Sequence, residues 1–327
     1  MNIFSENFAS MNPSPFLVTE KVTTLFLIMI AGIIARKTNI LDWPATKKLS
    51  AFLLNITQPL MIITSFQLDF DSEKLKNGFS LFALSVVVHT VTAAAVFLVY
   101  KPIRSGDEKK VYEMGTVFGN CAFLGYPVLK VIFGEDLGVF YGAFYAMFFN
   151  MFIWTYGVYL ITRKSGGTAR PRISVKKIFL NAGMIASVLG IIVFLTGIKL
   201  PGVLYDCSKL IGDMTFPLSM VIIGSLISDI KPRDMFCRKK SYYYVLVKLI
   251  ALPLAVGLVC HALKLPALIV CMGTIMSAMP SAANVAIFAE TYGADSKTAA
   301  INVGLSTLFS IGTIPLAIYF LDNVLKL

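Results

Sequence analysis

The chain has 327 residues, of which 57% are hydrophobic and only 14% are charged, and its mean hydropathy is +0.76. A water-soluble domain needs a more polar surface than this composition supplies, so a membrane environment is indicated. The formal net charge is +11, but the basic residues stand between apolar runs, where membrane proteins carry orientation signals, so nucleic acid is excluded as a partner.

The N-terminal 15 residues are polar and lack the basic start of a signal peptide. About 20 apolar residues cross a bilayer as a helix, and no segment shows the alternating pattern of a membrane barrel. We therefore predict an all-α polytopic membrane protein with ten transmembrane helices, at residues 16–35, 48–67, 79–100, 112–133, 138–162, 178–198, 205–228, 242–262, 266–289 and 297–321.

Lysine and arginine are concentrated in the connections that follow spans 1, 3, 5 and 7. These connections hold Arg36, Lys37, Lys47; Lys101, Arg104, Lys109, Lys110; Arg163, Lys164, Arg170, Arg172, Lys176, Lys177; and Lys231, Arg233, Arg238, Lys239, Lys240. Basic loops stay in the cytoplasm. The pattern predicts a multi-pass protein of the inner or plasma membrane with both termini outside.

The chain repeats itself. Pro59-Leu60 and Pro217-Leu218 are 158 positions apart (217 − 59), as are Gly115-Thr116 and Gly273-Thr274. Spans 1–5 (residues 1–162) thus map onto spans 6–10 (residues 178–327), and because five is odd the second copy is inverted. The stretch between them, residues 163–177, is predicted to be a short basic cytoplasmic linker.

Spans 4 and 9 carry interruptions at matching places, Gly119–Pro127 and Met279–Asn284. Proline removes a backbone donor and clashes with the preceding turn, so each helix is expected to open near its middle. Half-helix N-termini at such breaks favour an anion; the alternative is a simple proline kink. The candidate substrate-binding residues here are Asn120, Gly125, Pro127, Pro280, Ser281 and Asn284.

Four further polar residues lie within spans, and each has two interpretations. Asn55 and Asp213 stand four residues before Pro59 and Pro217, where they line a cavity or steady a kink. His89 is a proton carrier or a neutral, hydrogen-bonded histidine. Lys248 pairs with a substrate carboxylate or extends back to the cytoplasmic face. The five cysteines include no CxxC pair, so neither a metal site nor a disulfide framework is indicated.

Four groups of motif residues are spread over nearly the whole chain: Gly-Asn-x-x-Phe-x-Gly-x-Pro at 119–127, Asn150 with Trp154-Thr155, Pro217-Leu218 with Gly224, and Pro280 with Asn284 and Tyr292-Gly293-Ala294-Asp295. Together these motifs resemble the auxin efflux carrier family. The short linker is similar to compact bacterial members.

The resemblance implies the crossed-helix fold shared with bile acid/sodium symporters. Spans 4 and 9 would cross at their breaks, and a transport unit (spans 3–5 and 8–10) would move against a panel (spans 1, 2, 6 and 7). It also implies a homodimer through the panel and a small weak-acid organic anion as substrate, either auxin-like or a dicarboxylate such as malate or malonate.

Secondary transport of an organic anion, with H⁺ or Na⁺ as a coupling ion and no cofactor, is the leading function. The alternatives are a cation/proton antiporter on the same fold and a solute sensor that moves nothing. No nucleophile–base set is visible in the sequence, so an enzyme is not expected.

Overall fold

We describe residues 15–103, 106–163, 180–228 and 236–326, with Ile230, Lys231 and Arg233, in a computed structural model of the chain. The predicted linker 163–177 lies outside these residues except for Arg163. Ten helical segments follow in order: α1 Pro15–Lys37, α2 43–65, α3 Ser72–Val99, α4 107–133, α5 135–162, α6 Ala182–Thr196, α7 Gly202–Ser228, α8 Lys239–Ala262, α9 267–291 and α10 Ser296–Val324.

Five of these helices are long and apolar enough to cross a membrane by length and composition: α3, α5, α7, α8 and α10. Shorter apolar helices are Cys121–Phe133 in α4, α6, and Ala267–Ala278 in α9. α4 and α9 fall short because each is interrupted. The chain is therefore all-helical and apolar over the described residues, as predicted, although only five of the ten segments meet the combined criterion of length and apolar composition.

Side chains at the helix starts explain several boundaries. Asp42, Asp71, Asn181 and Asp295 each accept a hydrogen bond from a backbone N–H of the first turn of α2, α3, α6 or α10, which satisfies a group that has no partner within the helix. α6 ends at Gly197, whose φ of 69° is in the left-handed region that glycine adopts without strain.

Prolines shape the helices differently from the sequence prediction. A π-helical turn precedes each of Pro59, Pro127 and Pro253, at Leu53–Thr57, Cys121–Gly125 and Val247–Ala251. The wider turn accommodates the proline ring and the carbonyl it leaves unbonded, so these helices continue.

The interruption of α4 lies at residues 118–120, before Pro127. It separates Asp107–Val117 from the second half, which begins at Cys121. In α9 the interruption, residues 279–282, contains Pro280 as predicted and separates Ala267–Ala278 from Ala283–Thr291.

α7 packs against α1 and α2, and α2 also packs against α6. We call these four helices of the predicted panel the panel helices, and we call α3, α4, α5, α8, α9 and α10 the crossing helices. The movement of one group against the other stays a prediction.

Ion pairs and hydrogen bonds connect neighbouring helices and loops at both ends of the bundle. At one end, which we call the basic end, Lys240 pairs with Glu108 at 2.6 Å and Arg163 pairs with Glu113. At the opposite end, the Lys199 ammonium donates to the Gln67 carbonyl at 2.7 Å.

α1 and α7 approach so closely that only glycine fits at two points. A Cβ added to Gly32 would lie 2.1 Å from the Val221 carbonyl oxygen, and one added to Gly224 would lie 2.0 Å from the Met29 carbonyl oxygen. Small residues that allow such backbone contact are typical of helix pairs in membranes.

We therefore expect Gly224→Ala to destabilise the protein by about 1–3 kcal/mol, because a backbone oxygen cannot move aside for the added methyl group. The measurement is thermal unfolding of the purified protein in detergent. Gly312→Ala is the matched control, since nothing lies within 4 Å of its added Cβ. Equal unfolding temperatures for the two variants would contradict the close α1–α7 contact.

Candidate functional site

The interrupted parts of α4 and α9 pair with each other. The Asn120 N–H donates to the Pro280 carbonyl at 2.6 Å, and the Ala282 N–H donates to the Phe118 carbonyl at 3.0 Å, which forms an antiparallel bridge between Gly119 and Ser281. Each break thus supplies the hydrogen bonds that the other lacks. The predicted meeting of the two interrupted helices is present, and we call this point the crossing.

Four half-helices end or begin at the crossing. The first halves of α4 and α9 point their C-terminal carbonyls toward it, and the second halves begin there with their N–H groups. Helix N-termini carry partial positive charge and C-termini partial negative charge. The crossing therefore offers both anion-attracting and cation-attracting ends within a few ångströms.

Both predicted asparagines line one small cavity at the N-terminal ends. The cavity measures about 20 Å³ and is bounded by residues of both second halves, with Leu54 of α2 and Phe149 of α5. The Asn120 side-chain oxygen accepts a hydrogen bond from the Phe123 N–H at 3.0 Å, while Asn284 is half-buried. A cavity of this size holds one water molecule, so a larger solute requires α2 to separate from the crossing.

The Lys248 side chain is 1% exposed and reaches the crossing from α8. Its Nζ lies 3.1 Å from the position of a Cβ on Gly119 and 3.4 Å from the Ser277 carbonyl, to which it donates. None of the ion pairs found among the described residues includes Lys248. The sequence left two alternatives open for Lys248. Extension of its side chain to the cytoplasmic face is wrong, because the aliphatic part of the side chain is directed from α8 into the protein interior.

The remaining break residues lie in the same neighbourhood. Gly125 lies in the π-helical turn that follows the break of α4, where an added Cβ would be 3.3 Å from the Met276 sulfur of α9. The Ser281 N–H donates to Ser306 Oγ at 3.1 Å. Pro127 is the second residue of the helix Tyr126–Phe133, beyond the π turn.

His89 does not line the small cavity at the crossing but contacts Phe118 in the break of α4. Its Nδ1 lies 2.8 Å from the Ser85 carbonyl oxygen, a distance at which a protonated Nδ1 donates. Its ring contacts five aromatic rings, those of Phe118, Tyr145, Phe148, Phe149 and Phe152. These contacts suit a histidine that orders the aromatic packing behind α4.

Two predicted residues are not brought to the crossing. The Asn55 amide donates to the Ala51 carbonyl at 2.8 Å on an exposed face of α2. Asp213 pairs with Lys130 at 3.0 Å, toward the opposite end. Asn55 lies in the π turn before Pro59, and Asp213 ends the helix Gly202–Asp213 before Pro217, but neither side chain lines the small cavity at the crossing.

A larger cavity leads from the basic end toward the crossing. It measures about 600 Å³ and lies between α1, α2 and α7 on one side and α9 and α10 on the other. Arg36, Lys231, Lys297 and Glu290 line it, and so does Ala283, which also lines the small cavity at the crossing. We call the larger cavity the vestibule; its charged residues are mainly basic.

Sequence reasoning missed Asn302 of α10. Its side chain is fully buried, and neither amide atom has a hydrogen-bond partner among the described residues. It lies one turn before Ser306, the residue that bonds the break of α9. An amide six residues into an apolar span was the available signal.

An apolar, all-helical chain in which two interrupted helices cross has the architecture of a polytopic membrane transporter. The sequence profile of a family described as "Membrane transport protein" matches residues 17–318. The chain belongs to this family, the auxin efflux carrier family that its motifs resemble.

Two archaeal relatives support the same class. An uncharacterized transporter of Methanocaldococcus jannaschii is 22% identical over 313 residues, which cover 93% of this chain and 99% of that protein. An uncharacterized transporter of Methanothermobacter thermautotrophicus is 24% identical over 307 residues, covering 91% of this chain and 96% of that protein. The protein is therefore a membrane protein of a transporter family.

We expect His89→Gln to leave the pH dependence of solute binding unchanged, because the imidazole contacts aromatic rings and its own helix. Binding of malonate, measured between about pH 5 and 8, checks this, since an unperturbed imidazole titrates in that range. His261→Gln is the matched control, because His261 is exposed at the end of α8. A pH profile that flattens only in His89→Gln would instead make His89 a proton carrier.

Proposed function

We propose that the protein is a secondary transporter of a small weak-acid organic anion, which binds at the crossing and moves by alternating access of the elevator type. The anion is a carboxylate, either a dicarboxylate such as malate or malonate or an auxin-like acid. The single observation that carries this proposal is Lys248, a buried cation at the crossing without a carboxylate partner among the described residues.

A buried charge is costly unless an opposite charge or several dipoles accompany it. The hydrogen-bond partner of Lys248 is the Ser277 carbonyl at the C-terminal end of the first half of α9, at 3.4 Å. A long hydrogen bond to one neutral carbonyl compensates an ammonium group only in part. A carboxylate that entered the crossing would supply the full opposite charge.

The rest of the crossing suits a carboxylate as well. The second halves of α4 and α9 begin there with N–H groups that attract anions, and Asn120 and Asn284 line the same cavity. An amide donates to a carboxylate oxygen through its NH₂ group. An aliphatic dicarboxylate would also fit the vestibule, whose volume of about 600 Å³ is within the range of small-molecule sites.

An inverted repeat of two five-helix units underlies this proposal. In support, Thr215 Oγ1 donates to Thr57 Oγ1 at 2.9 Å, and the two residues are 158 positions apart, which is the spacing of the repeat in the sequence. Two equivalent residues that touch must lie on the axis relating the copies. An antiparallel bridge between Gly119 and Ser281 also joins the two breaks, one from each copy.

The mechanism we propose moves the crossing helices against the panel helices, so that the crossing faces one side of the membrane and then the other. The loops of the basic end would lie in the cytoplasm of an inner or plasma membrane, with both termini outside. Two copies would associate through α1, α2, α6 and α7, which present exposed apolar residues such as Leu27, Ile56 and Ile192.

Coupling follows from electrostatics. A membrane potential that is negative inside favours anion exit by about 2.3 kcal/mol per charge per 100 mV. Uptake would need H⁺ or Na⁺ to move with the anion, whereas efflux would need neither.

A cation/proton antiporter is the second candidate, because C-terminal carbonyls also face the crossing. Cation/proton exchange requires a carboxylate at the binding site. Asp213, the carboxylate that the sequence places within a span, pairs with Lys130 instead. A sensor that binds the same anion without moving it would share the site; transport of labelled malonate into proteoliposomes separates the two.

Lys248→Met is expected to abolish carboxylate binding while the protein stays folded, because methionine fills the space without the charge. The measurement is the rise in unfolding temperature caused by malonate or malate; a ligand at about 100 times its Kd stabilises by about 2.7 kcal/mol. Lys199→Met at the opposite end is the control. If Lys248→Met only lowers the unfolding temperature and keeps the malonate response, the lysine merely neutralises the helix ends.

Asn120→Asp discriminates between an anion and a cation at the crossing. The aspartate can still accept the hydrogen bond from the Phe123 N–H, so the second half of α4 keeps its cap. Its negative charge should repel a carboxylate and weaken malonate binding by at least tenfold. A variant that loses malonate binding and gains none for Na⁺ fits the proposal, whereas a gain of Na⁺-induced stabilisation with retained malonate binding contradicts it.

A further inference from the structure

Two ion pairs join the crossing helices to the panel helices toward the opposite end. Lys130, in the second half of α4, has its Nζ 3.0 Å from Oδ1 of Asp213 in α7. Asp136, at the start of α5, has its Oδ1 3.7 Å from Nζ of Lys209, also in α7. The Lys130 ammonium lies, in addition, 4.5 Å from the centre of the Phe216 ring of α7.

The four charges are arranged reciprocally. Lys209 and Asp213 are one turn apart on α7, so their side chains lie on the same face. Lys130 and Asp136 flank the turn between α4 and α5 at Gly134, whose φ is 86°. α7 contributes the cation Lys209 and the anion Asp213, and the turn contributes their opposites, Asp136 and Lys130. Both bonds form together only when this turn lies beside this stretch of α7.

The basic end has the opposite character. There the vestibule separates panel residues such as Arg36 and Leu226 from α9 and α10 residues such as Ala286 and Ala300, and it reaches Ala283 beside the crossing. Ion pairs therefore connect the two helix groups toward the opposite end, whereas the vestibule lies between them at the basic end.

We propose that the Lys130–Asp213 and Lys209–Asp136 pairs form a latch that keeps the opposite end closed while the crossing is reached from the basic end. The inference rests on the alternating access proposed above, and it gives Asp213 a role in gating. The latch must break each time the crossing helices move along the panel.

The exposure of the pairs suits a latch that opens repeatedly. The side chains of Lys130 and Asp213 are 18% and 41% exposed, and those of Lys209 and Asp136 are 31% and 39% exposed. Partly hydrated pairs are weak and salt-sensitive, so water can solvate the charges once they part. A fully buried pair would resist separation.

The test is a distance measurement by double electron–electron resonance, which needs no substrate. Spin labels go on Val203→Cys in α7 and His261→Cys in α8, both exposed positions near the opposite end, after the exposed Cys207 and Cys237 are replaced by serine. The label pair reports the separation of the panel and the crossing helices at that end.

We expect one dominant distance in the protein with intact pairs. Lys209→Gln combined with Asp213→Asn should add a second distance with a population of about 10%, the upper end of the range that minor conformations usually occupy. The charge swap Lys130→Asp with Asp213→Lys should keep the single distance, because both pairs are then present, the first of them in reverse.

Asp69→Asn is the matched control. Asp69 pairs with Lys199 at 3.1 Å at the same end, but this pair joins the loops after α2 and α6, not the panel to α4 and α5. The latch predicts that the control keeps the original distance distribution. If Lys209→Gln/Asp213→Asn also keeps it, even with a lowered unfolding temperature, the pairs only stabilise the fold and the latch is overturned.

The outcome is separable from that of the proposed function. Malonate binding that depends on Lys248 can hold while the distances stay single, in which case only the latch fails. Conversely, a second distance can appear in a protein that binds no carboxylate, in which case the anion assignment fails and the latch stands.

Discussion

When a helix is interrupted in an apolar interior, its free backbone N–H and C=O groups need hydrogen-bond partners. The interrupted parts of α4 and α9 supply these partners to each other. The hydrogen bonds from Asn120 to Pro280 and from Ala282 to Phe118 bring the breaks together. In hydrocarbon an unpaired backbone group costs several kcal/mol, so neither break is tolerable alone. This mutual pairing fixes where α4 crosses α9, and the positions of Asn120, Ser281 and Lys248 depend on it.

The same pairing creates the electrostatics of the site. Crossing two broken helices places two negative and two positive helix ends at one point, and α8 adds the ammonium of Lys248 on the side of the carbonyl ends. Helix ends and lysine together leave the crossing short of negative charge. The vestibule then connects this point with the end that carries Arg36, Lys231 and Lys297, and an anion approaching from there meets basic residues first.

Much of this could be predicted from the sequence. Helix positions followed from apolar length, and the asparagines of the crossing followed from matched interruptions. The interruption predicted at Gly119–Pro127 lies at the start of that range, because a π turn accommodates Pro127 and the chain opens at Gly119, where α9 approaches. The burial of Lys248 depends on the direction of α8, and the pairing of Asp213 depends on contact with α4. Such tertiary relations are not local properties of a sequence.

The most direct test of the central claim is the current recorded from proteoliposomes on a solid-supported membrane when the carboxylate concentration is raised abruptly. An anion carrier with a cationic lysine at its site should give a transient current with malonate or malate. The current should be absent in Lys248→Met. A current that follows Na⁺ or pH jumps but not carboxylate jumps, and that persists in Lys248→Met, would contradict the account.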